Sequence, residues 1–64
     1  MVLLPEDVPF GTKVFLDGQE VDKVTEIDLH EKSVEFIVRI EPNGDVVYKR
    51  LKGQITLQLP DIKL

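Results

Sequence analysis

Residues 33–52 read SVEFIVRIEPNGDVVYKRLK, and this stretch decides the fold. Apolar and polar residues alternate on both sides of Asn43-Gly44, a dipeptide that favours the tight turn of a β-hairpin. The alternation predicts two antiparallel strands with one apolar inner face, on which Phe36 is a core residue. The predicted pairs are Ile40 with Val47 and Phe36 with Leu51 on the inner face, and Arg39 with Tyr48 and Glu35 with Lys52 on the outer face.

A second turn signal, Asp17-Gly18, predicts another two-residue hairpin that pairs Val14 with Val21. The apolar face continues beyond this hairpin only if a bulge lies near residues 22–24. A polar loop at residues 30–33 then leads into the central strand. The pairs predicted across that loop are Leu29 with Val34, Ile27 with Phe36, and Thr25 with Val38.

From Val47 to Leu59, the apolar residues of the inner face occupy odd-numbered positions on both sides of Gly53. A hairpin at Lys52-Gly53 would place them on opposite faces, so the pattern predicts one long strand bent at Gly53. A bent strand curls a sheet towards closure. The sequence therefore predicts an all-β domain, a small, partly open SH3-like barrel of four to five antiparallel strands. Two lysines, Lys23 and Lys49, fall on the inner face of this register.

The chain of 64 residues is long enough for one domain, residues 1–64. Prolines at both ends disfavour central strands there, so we expect an extended N-terminal arm at 1–11 and a short C-terminal arm at 60–64. Either the arms close an open edge of the barrel or they dock on another subunit. Since there is no cysteine and only one histidine, neither a disulfide nor a structural zinc site supports this small core. We therefore expect self-association or a protein partner.

The net charge of −4 disfavours binding to phosphate backbones, so we expect no general affinity for nucleic acid. The N-terminal apolar run is short and no basic residue precedes it, so we expect neither a signal peptide nor a membrane span. The lack of cysteine fits a reducing compartment. We expect a cytoplasmic protein.

No group of residues has the pattern of a catalytic site. The single histidine, His30, lies three residues before the single serine, Ser33, and a polar turn explains both. The acidic residues of the first half show no calcium-loop spacing, and the four glycines are isolated rather than forming a phosphate loop. We expect no enzyme activity, no cofactor, no metal and no small-molecule substrate.

Two surfaces are candidates for binding. Outward apolar side chains predict a partner surface made of Val24, Ile37, Val46 and Tyr48, unless the N-terminal arm covers it. The alternative is a nucleic-acid surface on which an aromatic residue lies among cations, made of Tyr48, Arg50 and Lys52. The competing explanation is local pairing across the strands, with Arg39 over Tyr48 and Lys52 opposite Glu35, which accounts for these residues without a ligand. The favoured interpretation is a non-catalytic protein–protein interaction or assembly module.

Several short motifs between residues 12 and 57 resemble small uncharacterised β proteins encoded by tailed bacteriophages and prophages. The motifs are Val14-Phe15-Leu16-Asp17-Gly18, Val24 followed by Asp28, a strand opening at Val34, Asn43-Gly44, and Gly53-Gln54-Ile55. The resemblance implies a phage or prophage gene product without an assigned activity. Together with the favoured interpretation, it leads us to expect either a virion or assembly component or a small factor that binds a host protein. It implies a location in the host cytoplasm or the virion, and it assigns no site residue.

Overall fold

The computed structural model describes residues 1–61 and shows an all-β protein, as predicted. Seven strands replace the predicted four to five, and a short 3-10 helix covers Pro5–Asp7. The strands are β1 Val2–Leu3, β2 Lys13–Leu16, β3 Gln19–Val21, β4 Val24–Asp28, β5 Ser33–Ile40, β6 Val46–Lys52 and β7 Ile55–Gln58. They form two antiparallel sheets, in the orders β1-β4-β5-β6 and β3-β2-β7.

The hairpin at Asp17-Gly18 has the predicted register, with Val14 opposite Val21. Asp17 has a φ of +51° and Gly18 a φ of +84°, the two left-handed conformations of a type I′ turn. The turn chemistry therefore determined this register, and the prediction is confirmed.

The predicted bulge at residues 22–24 is instead a corner between the two sheets. Lys23 has a φ of +57°, and β4 begins at the next residue in the other sheet. Lys23 consequently leaves the inner face on which the simple alternation placed it. A register shift does occur in this region, but it lies between Val24 and Glu26 in the pairing of β4 with β5.

The predicted register between β4 and β5 is wrong by two residues, because Ile27 lies opposite Val34 rather than Phe36. The cause is the Asp28 side chain, whose Oδ1 accepts hydrogen bonds from the backbone N–H groups of His30 and Glu31, both at 3.0 Å. These bonds start the turn early, so the hairpin closes on the pair Asp28 and Ser33. The even spacing keeps the apolar residues on the predicted face.

The hairpin between β5 and β6 also differs from its predicted register. The loop is one residue longer than a two-residue turn: the Glu41 N–H donates to the Asp45 carbonyl at 2.7 Å, and Gly44 adopts a φ of +93°. A second irregularity at Val38 shifts the pairing further. The pairs Val34 with Leu51, Glu35 with Arg50, and Ile37 with Tyr48 replace the predicted Phe36 with Leu51, Glu35 with Lys52, and Arg39 with Tyr48.

The predicted bend at Gly53 is present, and it divides the predicted long strand into β6 and β7. Strand β6 pairs with β5 in one sheet, while β7 pairs with β2 in the other. The chain thus passes between the sheets at residues 53–54. The Gly53 N–H donates to the Lys32 carbonyl at 2.9 Å, which ties this corner to the loop before β5.

The core between the sheets is small. The buried apolar side chains are Val14, Leu16, Ile27 and Val34, of which Val34 is fully buried. Partly buried apolar residues pack around them, namely Leu3, Val21, Val24, Phe36, Ile55 and Leu57. Phe36, predicted to be core, is half-buried. Such a core has little reserve of stability.

Residues 2–3 of the N-terminal arm form β1, which pairs with β4 and covers that edge of the four-stranded sheet. Of the C-terminal arm, residues 62–64 lie outside the described residues. Within residues 1–61, no helix has the length and apolar character needed to cross a membrane.

Candidate functional site

One end of the β5–β6 hairpin extends beyond the rest of its sheet. The last pair between β4 and β5 is Val24 with Phe36, and the later residues of β5 pair with β6. We call residues 38–47 the projecting ribbon. The molecule measures 44 × 27 × 21 Å, and its radius of gyration is 12.7 Å, compared with about 11 Å expected for a compact chain of this length. The ribbon lies where the sheet has narrowed to two strands.

Large apolar side chains on and beside the ribbon are exposed to solvent. Val38 is 44% exposed and Ile40 is 65% exposed, although the alternation of β5 placed both on the inner face. That prediction is wrong because the pairing shifts at Val38: Ile40 lies opposite Val46, on the face that carries Ile37 and Tyr48. In addition, β4 does not pair with β5 beyond Phe36, so no third strand flanks Val38 and Ile40. Simple alternation does not predict a bulge that reverses the faces of the residues after it.

The structure brings together three of the four residues of the predicted partner surface. Ile37 lies opposite Tyr48 in the β5–β6 pairing, and Val46 lies two residues before Tyr48 on the same face of β6. Tyr48 is 52% exposed. Val24 is placed elsewhere, because it pairs with Phe36 and packs against the core. The surface therefore centres on the ribbon, where sequence reasoning missed Val38 and Ile40.

The residues of the alternative nucleic-acid surface, Tyr48, Arg50 and Lys52, also share one face of β6, since they alternate along it. The Arg50 guanidinium donates to Glu26 Oε1 at 2.8 Å and to Glu35 Oε2 at 3.0 Å. Lys52 Nζ lies 3.6 Å from Glu31 Oε2. Each cation of the predicted surface thus has a carboxylate beside it.

The Arg50 network links three strands. Besides the two carboxylates, Arg50 donates to the Oγ of Ser33 at 2.8 Å, and Ser33 is almost fully buried. The hydrogen bond to Glu26, followed by the one to Glu35, raises the pKa of Arg50 above its ordinary value. The arrangement stabilises the charged guanidinium where it is, so Arg50 and Ser33 have a structural role in joining β4, β5 and β6.

A groove opens between the two sheets, next to the base of the ribbon. Its volume is about 490 Å³. We call it the inter-sheet groove, and it is lined by Leu16, residues 19–23, residues 36–38 and Leu51. Leu16, Phe36 and Leu51 supply an apolar part of its lining, and Glu20 and Asp22 lie on the β3 side.

A second cleft of about 280 Å³ lies between the N-terminal arm and the β2–β3 hairpin. Phe10, which sequence reasoning did not single out, is fully exposed beside it in the turn that ends at Thr12. The Thr12 N–H donates to the Pro9 carbonyl at 3.1 Å and closes this turn. The turn therefore presents the Phe10 ring to solvent.

The remaining side chains that could carry chemistry are the acidic residues, Ser33 and His30. No group of three or more His, Cys, Asp or Glu side chains within residues 1–61 is placed to hold a metal ion. The Ser33 hydroxyl accepts a hydrogen bond from Arg50, while His30 lies in the exposed turn that Asp28 caps. Both residues thus have structural partners.

Comparison of the chain with protein-family models, with curated proteins and with solved structures found no match.

Proposed function

We propose that this chain is a non-catalytic protein–protein interaction or assembly module that binds its partner through the projecting ribbon. The observation that carries the proposal is the exposure of Val38, Ile40 and Tyr48 on the end of the sheet that β4 does not cover. A two-stranded ribbon is marginally stable by itself in water. A partner that buries these side chains supports both the ribbon and the small core.

The charged face of β6 supports the alternative, nucleic-acid binding, less well. A surface that binds phosphate needs cations free to replace counterions. Arg50 instead donates to Glu26 and Glu35, and Lys52 lies beside Glu31. The exposed ring of Tyr48 lies between this charged group and the ribbon, and its pairing with Ile37 favours an apolar protein contact.

We also infer that the two sheets make up a partly open, SH3-like barrel. What supports this is the order of pairing: β2 pairs with β3, β4 with β5, β5 with β6, and β7 with β2, while corners at Lys23 and Gly53 join one sheet to the other. The inter-sheet groove is then the open side of the barrel.

The turn motifs that resemble phage and prophage proteins suggest the setting of this module. We propose that it acts as a virion component or as a factor that binds a host protein, in the host cytoplasm or in the virion. Mass spectrometry of purified particles tests the first possibility. Detection of the chain at fixed stoichiometry in particles supports a virion role, and its absence from particles leaves the host-directed role.

Photo-crosslinking tests the ribbon as the binding surface. A benzophenone amino acid replaces Ile40 in one variant and Leu59 in a matched control, because Leu59 is 62% exposed, close to the 65% of Ile40. In cells that produce the protein, we expect one discrete crosslinked product from position 40 and no such product from position 59. The mass of the product distinguishes a second copy of 7.3 kDa from another protein.

A charge substitution on the ribbon provides a second test of the binding surface. Ile40→Lys places a charge on the ribbon and should abolish co-purification of the crosslinked partner, whereas Leu59→Lys should leave it unchanged. Equal recovery of the partner with both variants would show that the ribbon is not the binding surface.

A further inference from the structure

Strand β7 leaves one edge of the three-stranded sheet free. The Asp17 N–H donates to the Gln54 carbonyl at 2.8 Å, and β7 then pairs with β2 along its length. Because backbone groups alternate in direction along an antiparallel strand, Thr56 directs its N–H and C=O to β2, whereas Ile55 and Leu57 direct theirs away from it. Within residues 1–61, β2 is the only strand that pairs with β7. Ile55 and Leu57 therefore offer donors and acceptors to an added strand.

The β7 edge has none of the features that protect the other sheet edges. Edge strands resist further pairing when they carry charge, are very short or contain proline. Strand β6 carries Lys49, Arg50 and Lys52, β3 has three residues with Glu20 in the middle, and β1 has two residues. In contrast, Ile55–Gln58 contains no charged residue and no proline, and its pairing with β2 is regular. Strand β7 is therefore the edge best suited to accept another strand.

The sequence of this edge complements itself. Residues 54–58 read Gln-Ile-Thr-Leu-Gln, which has the same chemical order in both directions. If two such strands run antiparallel about Thr56, threonine lies opposite threonine, glutamine opposite glutamine, and Ile55 opposite Leu57. The apolar side chains then share one face and the polar side chains share the other. Threonine pairs are favourable across strands, and each glutamine amide both donates and accepts, so a second copy fits this edge without a change of register.

Charge and shape beside the edge agree with such pairing. The chain has a net charge of −4, but residues 53–60 carry no charge, so like charges do not meet along the pairing. A recess of about 440 Å³ adjoins the start of β7 and is lined by Leu29, Lys32, Gln54 and Ile55. Leu29 is 40% exposed there. Leu57 of a second copy, lying opposite Ile55, reaches this recess and covers Leu29.

We propose that two copies of this chain associate through β7, antiparallel about Thr56, so that their three-stranded sheets join into one continuous sheet. This dimer goes beyond the proposed function, because the ribbon lies in the other sheet and stays free for its own partner. The Gly53 N–H is already bonded to the Lys32 carbonyl, so pairing ends at Gln54 and Leu59 lies beyond the last pair. Since a two-fold pairing uses the free β7 edge of both copies, association stops at two.

The paired stretch is short, so we expect a weak dimer with a dissociation constant of about 10 µM to 1 mM. Disulfide trapping tests its register, because the chain has no cysteine of its own. Residues opposite each other in a non-hydrogen-bonded pair have Cα atoms about 4.5 Å apart, within the range of a disulfide. Mild oxidation should therefore crosslink Thr56→Cys to itself.

The matched control for trapping is Gln58→Cys, on the same exposed face of the same strand. In the proposed register the two copies of residue 58 lie far apart, so this variant should give little homodimer. Mixed with Gln54→Cys, it should crosslink, because residues 54 and 58 lie opposite each other. Crosslinks formed mainly between Thr56→Cys and Gln58→Cys would indicate a shifted register and overturn the arrangement.

Sedimentation velocity over about 1 µM to 1 mM provides the second measurement. Thr56→Lys and Thr56→Glu should each be monomeric, because like charges then lie directly opposite each other, and a mixture of the two should dimerise. Gln19→Lys, which adds the same charge to the opposite edge of that sheet, should dimerise as the wild type does. A wild type that is monomeric throughout, or dimerisation that persists in Thr56→Lys, would refute the β7 dimer.

Discussion

The Asp17 carboxylate packs against the backbone of Gly53, so that a Cβ atom at residue 53 would lie 2.6 Å from Asp17 Oδ2. The same side chain accepts a hydrogen bond from the Gln54 N–H at 2.9 Å, and the Asp17 N–H donates to the Gln54 carbonyl at 2.8 Å. The turn of the first hairpin therefore holds the corner at which the chain changes sheets. Glycine is needed at position 53 because of this close approach and not because of its φ.

Gly53→Ala should destabilise the protein by about 1 kcal/mol, because the added methyl group displaces the Asp17 carboxylate from its hydrogen bond with the Gln54 N–H. The measurement is urea denaturation followed by circular dichroism. In an Asp17→Gly background, the clash partner is absent, so Gly53→Ala should cost much less. Equal costs in the two backgrounds would show that Asp17 does not impose the requirement for glycine.

Val34→Ala should cost about 2 kcal/mol, at the lower end of the range for truncating a buried aliphatic side chain. Val34 is fully buried, and in the four-stranded sheet it lies opposite Ile27 of β4 on one side and opposite Leu51 of β6 on the other. The control is Leu59→Ala, which should change the free energy of unfolding by less than about 0.5 kcal/mol because Leu59 is 62% exposed. Similar losses in both variants would contradict the small core described above.

Duplex DNA should show no saturable binding at physiological ionic strength, because Arg50 and Lys52 lie beside carboxylates. Fluorescence anisotropy with labelled DNA and single-stranded RNA measures this. The variant Glu26→Gln, which removes one carboxylate from Arg50, serves as a comparison. Submicromolar binding by the wild type that weakens steeply with salt would support the nucleic-acid alternative instead.

The pKa of Asp28 should lie below its ordinary value of 3.8, chiefly because its carboxylate accepts the Glu31 N–H and also the His30 N–H. Carbon-detected NMR titration measures it directly. Since the folded pKa is lower than the unfolded one, the contribution of Asp28 to stability is present above pH 3.8 and is lost as pH falls through the folded pKa.

Asp28→Asn is the control for this titration, because it retains an acceptor oxygen and removes the charge. The wild type should be the more stable protein at neutral pH, and the difference in melting temperature should shrink as the pH falls below 3.8. A difference that grows in acid, or an Asp28 titration midpoint above 3.8, would contradict the proposed role of the turn.

The hairpin turns show how far local sequence information extends. Asp17-Gly18 contains both residues that a type I′ turn requires, so the pairing of Val14 with Val21 followed from the sequence. In the Asn43-Gly44 turn, Pro42 joins the loop and Asp45 closes it, which lengthens the loop by one residue. The hairpin was predicted correctly but its register was not, because the register depends on how the loop closes.

The candidate site depended still more on tertiary structure. Ile37, Val46 and Tyr48 were found from the sequence because outward apolar residues on a strand are visible as breaks in the alternation. Val38 and Ile40 were assigned to the inner face, but the shift in pairing at Val38 moves Ile40 to the face of Val46 and Tyr48, and β4 does not pair with β5 beyond Phe36. Val24 was assigned to the surface, and the corner at Lys23 turned it towards the core.

The sequence by itself determined the all-β class, the positions of the hairpins and the bend at Gly53, because alternation and turn dipeptides act over a few neighbouring residues. Only the tertiary structure decided the division into two sheets and the exposure of the ribbon. These features depend on contacts between distant residues, such as the Asp17 carboxylate with the Gln54 N–H and Arg50 with Glu26. Such contacts leave no periodic pattern in the sequence.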